Sequence, residues 1–257
     1  MNLIDTHCHL TYDGLREQLD QVLNRSIEAG VNSWVTVGTK TGELEGVIEL
    51  TDKHKNLYAG LGYHPHEAKS VTEDDLQNLR KLCQHKKVLA VGETGLDFFY
   101  DQSPRQVQKD IFRAHLTIAE ELKLPVIIHT RNAFEESMEI LDEYRGRLKD
   151  VVIHCYSGTE EQTKFVLDKG YHASFTGIAT FKKAEETRAA AKMVPLDRLM
   201  IETDCPFISP EPVRNQRPCE PAMMVHTARK IAEVKGIDFE EFAQQVTETS
   251  KKFFGIN

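Results

Sequence analysis

Two histidines flank a cysteine near the start of the chain, in Leu3-Ile4-Asp5-Thr6-His7-Cys8-His9-Leu10. If this apolar run is a buried strand, successive side chains point to opposite faces, so His7 and His9 share one face and Cys8 takes the other. Imidazole ligates borderline-soft divalent metals, and two on one face are half of a mononuclear site. His-x-His alone also describes packed or solvated histidines. The pattern gains weight because polar residues recur at the ends of later apolar runs: His64 and His66, Glu93, His129, His154, then Glu202 and Asp204. Leaving the 64 and 66 pair aside, four histidines and two carboxylates from this set supply the nitrogen and oxygen donors that two divalent cations need, with positions left for water and substrate. Such a set accepts zinc, manganese, magnesium, nickel or cobalt. The chemistry it supports is hydrolysis by an activated water.

Positioning these residues is the task of eight apolar segments: Asn2 to His7, Ser33 to Val37, Tyr58 to Gly62, Val88 to Gly92, Val126 to His129, Val151 to His154, Tyr171 to Phe175 and Leu199 to Glu202. Helical patterns alternate with them. Leu15, Leu19, Val22, Leu23 and Ile27 fall at helical spacing with Gly30 as a stop, and Leu76, Leu79 and Leu82 form another face after Thr72 and an acidic first turn. Ser103-Pro104-Arg105-Gln106 reads as a helix start with Ser103 as N-cap and Gln106 completing a capping box. Eight strand and helix repeats in 257 residues predict an α/β fold, a (β/α)8 TIM barrel, as a single domain over residues 1–257. A doubly wound open sheet is the alternative, but it usually brings a Gly-rich phosphate loop after an early strand, and none is present. Five of the nine prolines lie between Pro206 and Pro221, which predicts a stiff loop over the barrel mouth. A helix then runs from about Glu220 to Val234, with one or two further short helices at the end.

With 40% hydrophobic and 28% charged residues the composition is that of an ordinary globular protein, and no apolar run approaches the length of a membrane span. A cytoplasmic location is the expectation, since Asp5 and two histidines occupy the place of a signal peptide's apolar core; the sequence leaves the oligomeric state open, with a monomer favoured. The net charge of −8 argues against coating nucleic acid through a broad basic surface. It leaves room for a polyanionic substrate, because bound cations reverse the local field. The five cysteines include no C-x-x-C, and Cys8, Cys155 and Cys205, each one position after a candidate ligand, read as reduced packing residues turned to the opposite layer. His115, four residues after Ile111 on an inward helix face, reads as a satisfied core histidine. His54 and His85 read as solvated; His172 and His226 suggest no partner.

The motifs match a known pattern over the length of the chain. Asp5-Thr6-His7-Cys8-His9-Leu10, Gly62-Tyr63-His64-Pro65-His66, Gly92-Glu93-Thr94-Gly95-Leu96-Asp97, Pro125-Val126-Ile127-Ile128-His129-Thr130-Arg131, His154-Cys155-Tyr156-Ser157-Gly158 and Glu202-Thr203-Asp204-Cys205-Pro206 resemble the TatD family of metal-dependent deoxyribonucleases, within the amidohydrolase-like TIM barrels. The resemblance implies that His7, His9 and Asp204 hold one metal, that His129 and His154 hold the other, and that Glu93 bridges them. It also implies that His64 sits on the substrate side, near the scissile phosphate. His66 is open between loop structure and substrate contact. Arg131 reads as a bidentate phosphate clamp or a surface ion pair. Asp5 and Glu202 are expected to orient a metal-bound imidazole or a neighbouring polar group, and Asp97 to order the loop after Glu93 or support the site. Family members commonly carry an acidic residue where this chain has Asn132, and Asn-Glu-Pro where it has Cys219-Glu220-Pro221; both departures bear on substrate preference.

The expected activity is a 3′ to 5′ exodeoxyribonuclease acting on single-stranded DNA ends, with Asp204 taking the proton from the attacking water and His64 and Arg131 meeting charge on the phosphate. An ester or amide hydrolase, such as a D-aminoacyl-tRNA deacylase, uses the same donors on another substrate. A non-catalytic protein with structural metal is a third reading. It is opposed by the absence of cysteine ligands and the spare carboxylates.

Overall fold

A computed structural model describes residues 2–256. Its strands are β1 (Leu3–Cys8), β2 (Val31–Gly38), β3 (Leu57–Leu61), β4 (Val88–Asp97), β5 (Val126–Arg131), β6 (Val151–Ile153), β7 (His172–Phe175) and β8 (Leu199–Ile201). They follow chain order in one sheet, and the pairs β1–β2, β3–β4, β4–β5, β5–β6 and β7–β8 are parallel. Between and after them come α1 (Leu19–Ala29), α2 (Leu44–Lys53), α3 (Glu73–Leu82), α4 (Arg105–Leu122), α5 (Phe134–Glu143), α6 (Glu160–Asp168), α7 (Glu185–Met193), α8 (Met224–Lys235) and α9 (Phe239–Phe254). Strand–helix alternation in sequential parallel order is the (β/α)8 TIM-barrel fold that the sequence predicts. Among the described residues no helix is long and apolar enough to cross a membrane. Contacts group the chain into two compact units, one running to Thr36 and resuming at His154, the other Val37–Ile153.

In the first unit every residue of β1 is buried, as expected of a parallel strand covered on both faces. Helix α1 buries Leu19, Val22 and Leu23 and ends at Gly30, whose φ of +92° is the left-handed conformation that glycine adopts without strain. Ile27, at helical spacing with them, is 52% exposed. The C-terminal region differs from the expectation of short helices. After α8, helix α9 runs unbroken for sixteen residues, capped by Asp238, which accepts from the Glu240 and Glu241 amides. No Gly or Pro interrupts it, and Phe242, Val246 and Phe253 form a continuous buried face.

In the second unit Thr72 and Asp75 form a reciprocal capping box at the start of α3, which offsets two orphan amides. Helix α4 does not start as predicted. Its cap is Pro104, without a side-chain bond, because Ser103 Oγ is already engaged, donating to His66 O and accepting from Lys69 N. Strand β4 is also longer than predicted. It continues past Gly92 through a register shift between Val91 and Thr94, so that Thr94 to Asp97 pair with Ile128 to Arg131 of β5. Glu93 therefore sits inside a strand, at a bulge, rather than at its end.

His115, fully buried in α4, is satisfied at both nitrogens: the Tyr63 amide donates to Nε2 at 2.8 Å and Nδ1 faces Ile111 O at 2.7 Å. Nε2 accepts, so the ring is neutral, and burial pushes its pKa down from 6.5 to about 4. The unfolded chain takes up the proton first. Stability from this residue is therefore complete above pH 6.5 and lost as pH falls toward 4, a total of about 3 kcal/mol. Urea midpoints at several pH values should show His115→Gln falling less steeply than wild type below pH 6.5; parallel slopes would assign the acid sensitivity elsewhere.

Candidate metal centre

The first donor set forms where the segment after β8 is tied to the end of β1. The Asp204 amide donates to His7 O at 2.9 Å, and the His9 amide donates to Cys205 O at 2.8 Å. These two bonds bring together side chains nearly 200 residues apart in sequence. Glu202 and Asp204 lie beyond β8, which ends at Ile201, so strand alternation does not set their directions. Asp204 reaches the histidines through a left-handed backbone, φ +52°, a conformation in which Asp and Asn are enriched.

His7 Nε2 and His9 Nε2 are 3.3 Å apart, and Asp204 Oδ1 lies 3.3 Å from His9 Nε2 and 3.9 Å from His7 Nε2. Donors bonded tetrahedrally to one ion at about 2.0–2.1 Å stand about 3.3–3.4 Å from one another. The set fits a divalent cation in donor type and in spacing. The His7 ring also stacks on His154 at 4.1 Å, and His154 Nδ1 lies 3.4 Å from Glu202 Oε1, giving a further group of His7, His154 and Glu202 that could hold an ion. Glu202 accepts from the Cys155 amide at 2.6 Å as well, so it fixes the turn that carries His154.

Asp5 lies beneath this set. It accepts from the Thr203 amide at 2.9 Å, from Thr203 Oγ1 at 2.6 Å and from the His7 amide. It touches no imidazole; its role is to pin the backbone of both ligand segments. Full burial pushes its carboxyl up to about 7, against the opposing effect of the Thr203 bonds.

In the second unit His64, Glu93 and His129 converge. Glu93 Oε1 lies 2.9 Å from His129 Nδ1 and 3.4 Å from His64 Nε2. His129 Nε2 bonds Asp97 Oδ2 at 3.2 Å, so a carboxylate orients the ring and presents Nδ1 toward Glu93, the usual arrangement behind a metal-bound histidine. Asp97 is near-fully occupied. Its Oδ2 also takes His66 Nε2 at 2.9 Å, and its Oδ1 accepts from the Phe99 and Tyr100 amides. Burial alone would raise its pKa, but the His129 and Tyr100 hydrogen bonds and the His129 charge outweigh it and hold the carboxyl well below the usual range. Asp97 thus divides its partners, with Oδ1 on the two loop amides and Oδ2 shared by His66 and His129.

His64, expected on the substrate side, stands with the donors Glu93 and His129. His66 is tied to Asp97 through Nε2. Arg131 makes no ion pair among the described residues and instead lies over the Phe99 and Tyr100 rings at 4.1 and 4.7 Å. Sequence reasoning missed this stacking, although the aromatic run Phe98-Phe99-Tyr100 was its visible signal. Cys8 and Cys205 are buried as expected, and burial raises the Cys8 thiol well above its ordinary value. Cys155 follows β6, in a left-handed turn with φ +47°, and so does not turn to the opposite layer by strand alternation. His85 is paired with Asp52 at 3.6 Å and half-buried rather than solvated.

Fold and donor sets together define a TIM barrel with histidine and carboxylate metal-donor groups at and beyond its strand ends. The chain belongs to the TatD related DNase family, whose profile matches residues 4–255. It is 38% identical over 255 residues to the uncharacterized metal-dependent hydrolase YabD of Bacillus subtilis, covering 99% of this chain and 100% of that protein. It is 32% identical to the 3′-5′ ssDNA/RNA exonuclease TatD of Pantoea ananatis, covering 99% and 100%. The crystal structure of YJJV, a TatD homolog from Escherichia coli K12, superposes with a TM-score of 0.93 at 28% identity, covering 99% of this chain and 98% of that one.

Proposed function

We propose that this protein is a metal-dependent hydrolase that cleaves phosphodiester bonds of single-stranded DNA from the 3′ end. The observation that carries the reading is the His7, His9 and Asp204 set, whose spacing suits one divalent cation. Relatives named as exonucleases support the substrate. Divalent cations bound at such donors polarise a phosphoryl oxygen and lower the pKa of water toward neutrality. His7, His9, His129, His154, Glu93 and Asp204 are the residues proposed to hold them, two per chain, with Glu202 and Asp97 orienting His154 and His129.

Asp204 is the most exposed member of its set, at 14% against 0% for His7 and 8% for His9. It faces the incoming water and accepts its proton. His64, 16% exposed beside Glu93, and the exposed Arg131 meet negative charge on the phosphate.

A second reading, hydrolysis of an ester or amide such as a D-aminoacyl-tRNA, uses the same donors, and the name of the relative at 38% identity says metal-dependent hydrolase without naming a substrate. A substrate panel separates the two. Purified protein with manganese should shorten a 5′-labelled single-stranded oligonucleotide stepwise while the label survives, and cut a D-aminoacyl-tRNA more slowly. Intact DNA beside a cleaved ester would transfer the proposal to the second reading.

A further inference from the structure

Five aromatic side chains are exposed among the described residues: Tyr12, Phe99, Tyr100, Phe165 and Phe207. Phe207 is in ring contact with the donor His9, and Tyr100 with His66, which shares Asp97 Oδ2 with the donor His129; Tyr12 contacts the Phe207 ring and Phe99 the Tyr100 ring. Phe99 and Tyr100, 55% and 53% exposed, pack edge to face at 4.9 Å, and Tyr100 meets His66 at 5.3 Å. In the other unit, Phe207 meets His9 at 5.6 Å and Tyr12 at 5.1 Å. Water penalises exposed rings, and their concentration around metal donors calls for an occupant with flat apolar faces.

Charge identifies the occupant's other component. In a chain of net charge −8, three cations gather on three consecutive aromatic residues. Arg131 lies over Phe99 and Tyr100, while Arg105 and Lys109 lie over Phe98 at 4.4 and 5.8 Å. Arg105 is paired with Asp101; Arg131 has no carboxylate partner among the described residues. A stacked guanidinium keeps its N–H edges in the plane of its fork, where they match phosphate oxygens. The backbone beneath is fixed by the donor set itself. One oxygen of Asp97 accepts from the Phe99 and Tyr100 amides at 3.0 and 2.8 Å, and the other binds His66 and His129.

We propose that Phe99, Tyr100 and Arg131 form a stacking platform that seats an unpaired base and its phosphate beside the His64, Glu93 and His129 group. The inference rests on the nucleic-acid reading above and deepens it: a platform of this kind recognises bases by their faces, so it selects unpaired strands without reading sequence. Paired bases hide those faces, and an aminoacyl ester has none to offer beyond its terminal nucleotide. Asp97 holds the platform in register with the donors.

The test is equilibrium binding of a fluorescent single-stranded oligodeoxynucleotide, compared with the same strand carrying abasic residues at its 3′ end, on an Asp204→Asn background that removes turnover. The intact strand should bind about tenfold tighter than the abasic one. Phe99→Leu and Tyr100→Leu, singly and together, should erase that preference, and Tyr100→Phe should keep it. Both rings are mostly exposed, so the single variants should fold. Arg131→Gln should weaken intact and abasic strands alike and flatten the salt dependence. Equal binding of intact and abasic strands by the unsubstituted platform, or a preference that survives in the double leucine variant, would overturn the platform. If the strand is discriminated in this way but never hydrolysed by the wild-type protein, the platform stands and the nuclease reading falls.

Discussion

Asp204→Asn should leave the protein folded while lowering kcat/KM on single-stranded DNA by about a thousandfold. The amide keeps the shape of the carboxylate and tolerates the left-handed backbone at φ +52°, which an alanine would occupy at some cost. What ties this segment to β1 is backbone, the Asp204 amide on His7 O and the His9 amide on Cys205 O, and neither bond involves the side chain. The substitution therefore removes only the charge: one anionic donor beside His9 and the acceptor for the proton of water. The check is single-turnover cleavage beside a thermal melt. A melt within a few degrees of wild type with activity lost supports the assignment; activity retained removes Asp204 from the chemistry.

The largest structural effect is expected at Gly95→Ala. Gly95 pairs with His129 across β4 and β5, and a Cβ there would stand 2.0 Å from His129 O with φ at +141°. No side chain can move to relieve a clash with a backbone carbonyl, and the φ is one that only glycine adopts freely. Destabilisation should reach about 4 kcal/mol, equivalent to roughly 10 °C in melting temperature for a chain of this size. His129, and with it the Glu93 and Asp97 contacts, should shift in whatever fraction still folds. Gly46→Ala is the control: it lies in α2 with nothing within 4 Å of an added Cβ, and it should stabilise by about 0.5 kcal/mol. Similar melts for the two variants would show that β4 and β5 are not held at this separation.

Strand positions are legible from the sequence because a (β/α)8 chain writes each strand as a short apolar run between amphipathic helices; seven of the eight lie within two residues of the expected boundaries, and β4 runs five residues further. The candidate donors are conspicuous for the same reason, as polar side chains closing apolar runs, but the pattern does not show that His64 and Glu202, expected on the substrate side and in support, stand within donor groups. Side-chain directions are not legible either. Strand alternation does not extend to His154, Cys155, Glu202 and Asp204, which lie beyond the strand ends, Cys155 and Asp204 with positive φ. Asp204 reaches His9 through hydrogen bonds between segments far apart in sequence, which no local pattern encodes. Ser103 looked like a cap because capping is a local signal, but the tertiary demand of His66 O and Lys69 N took its hydroxyl. Asp97 is the strongest instance. One oxygen accepts from the Phe99 and Tyr100 amides while the other binds both His66 and His129, partners from three segments that no local pattern brings together.

The central claim is that hydrolysis depends on a divalent cation at these donors, and the most direct test is DNA cleavage by exhaustively chelated protein before and after manganese is restored, with bound metal measured in the same samples. Cleavage absent without metal, and returning in proportion to metal bound by the wild-type chain but not by His9→Ala, is the predicted result. Undiminished cleavage by protein stripped of metal would contradict it.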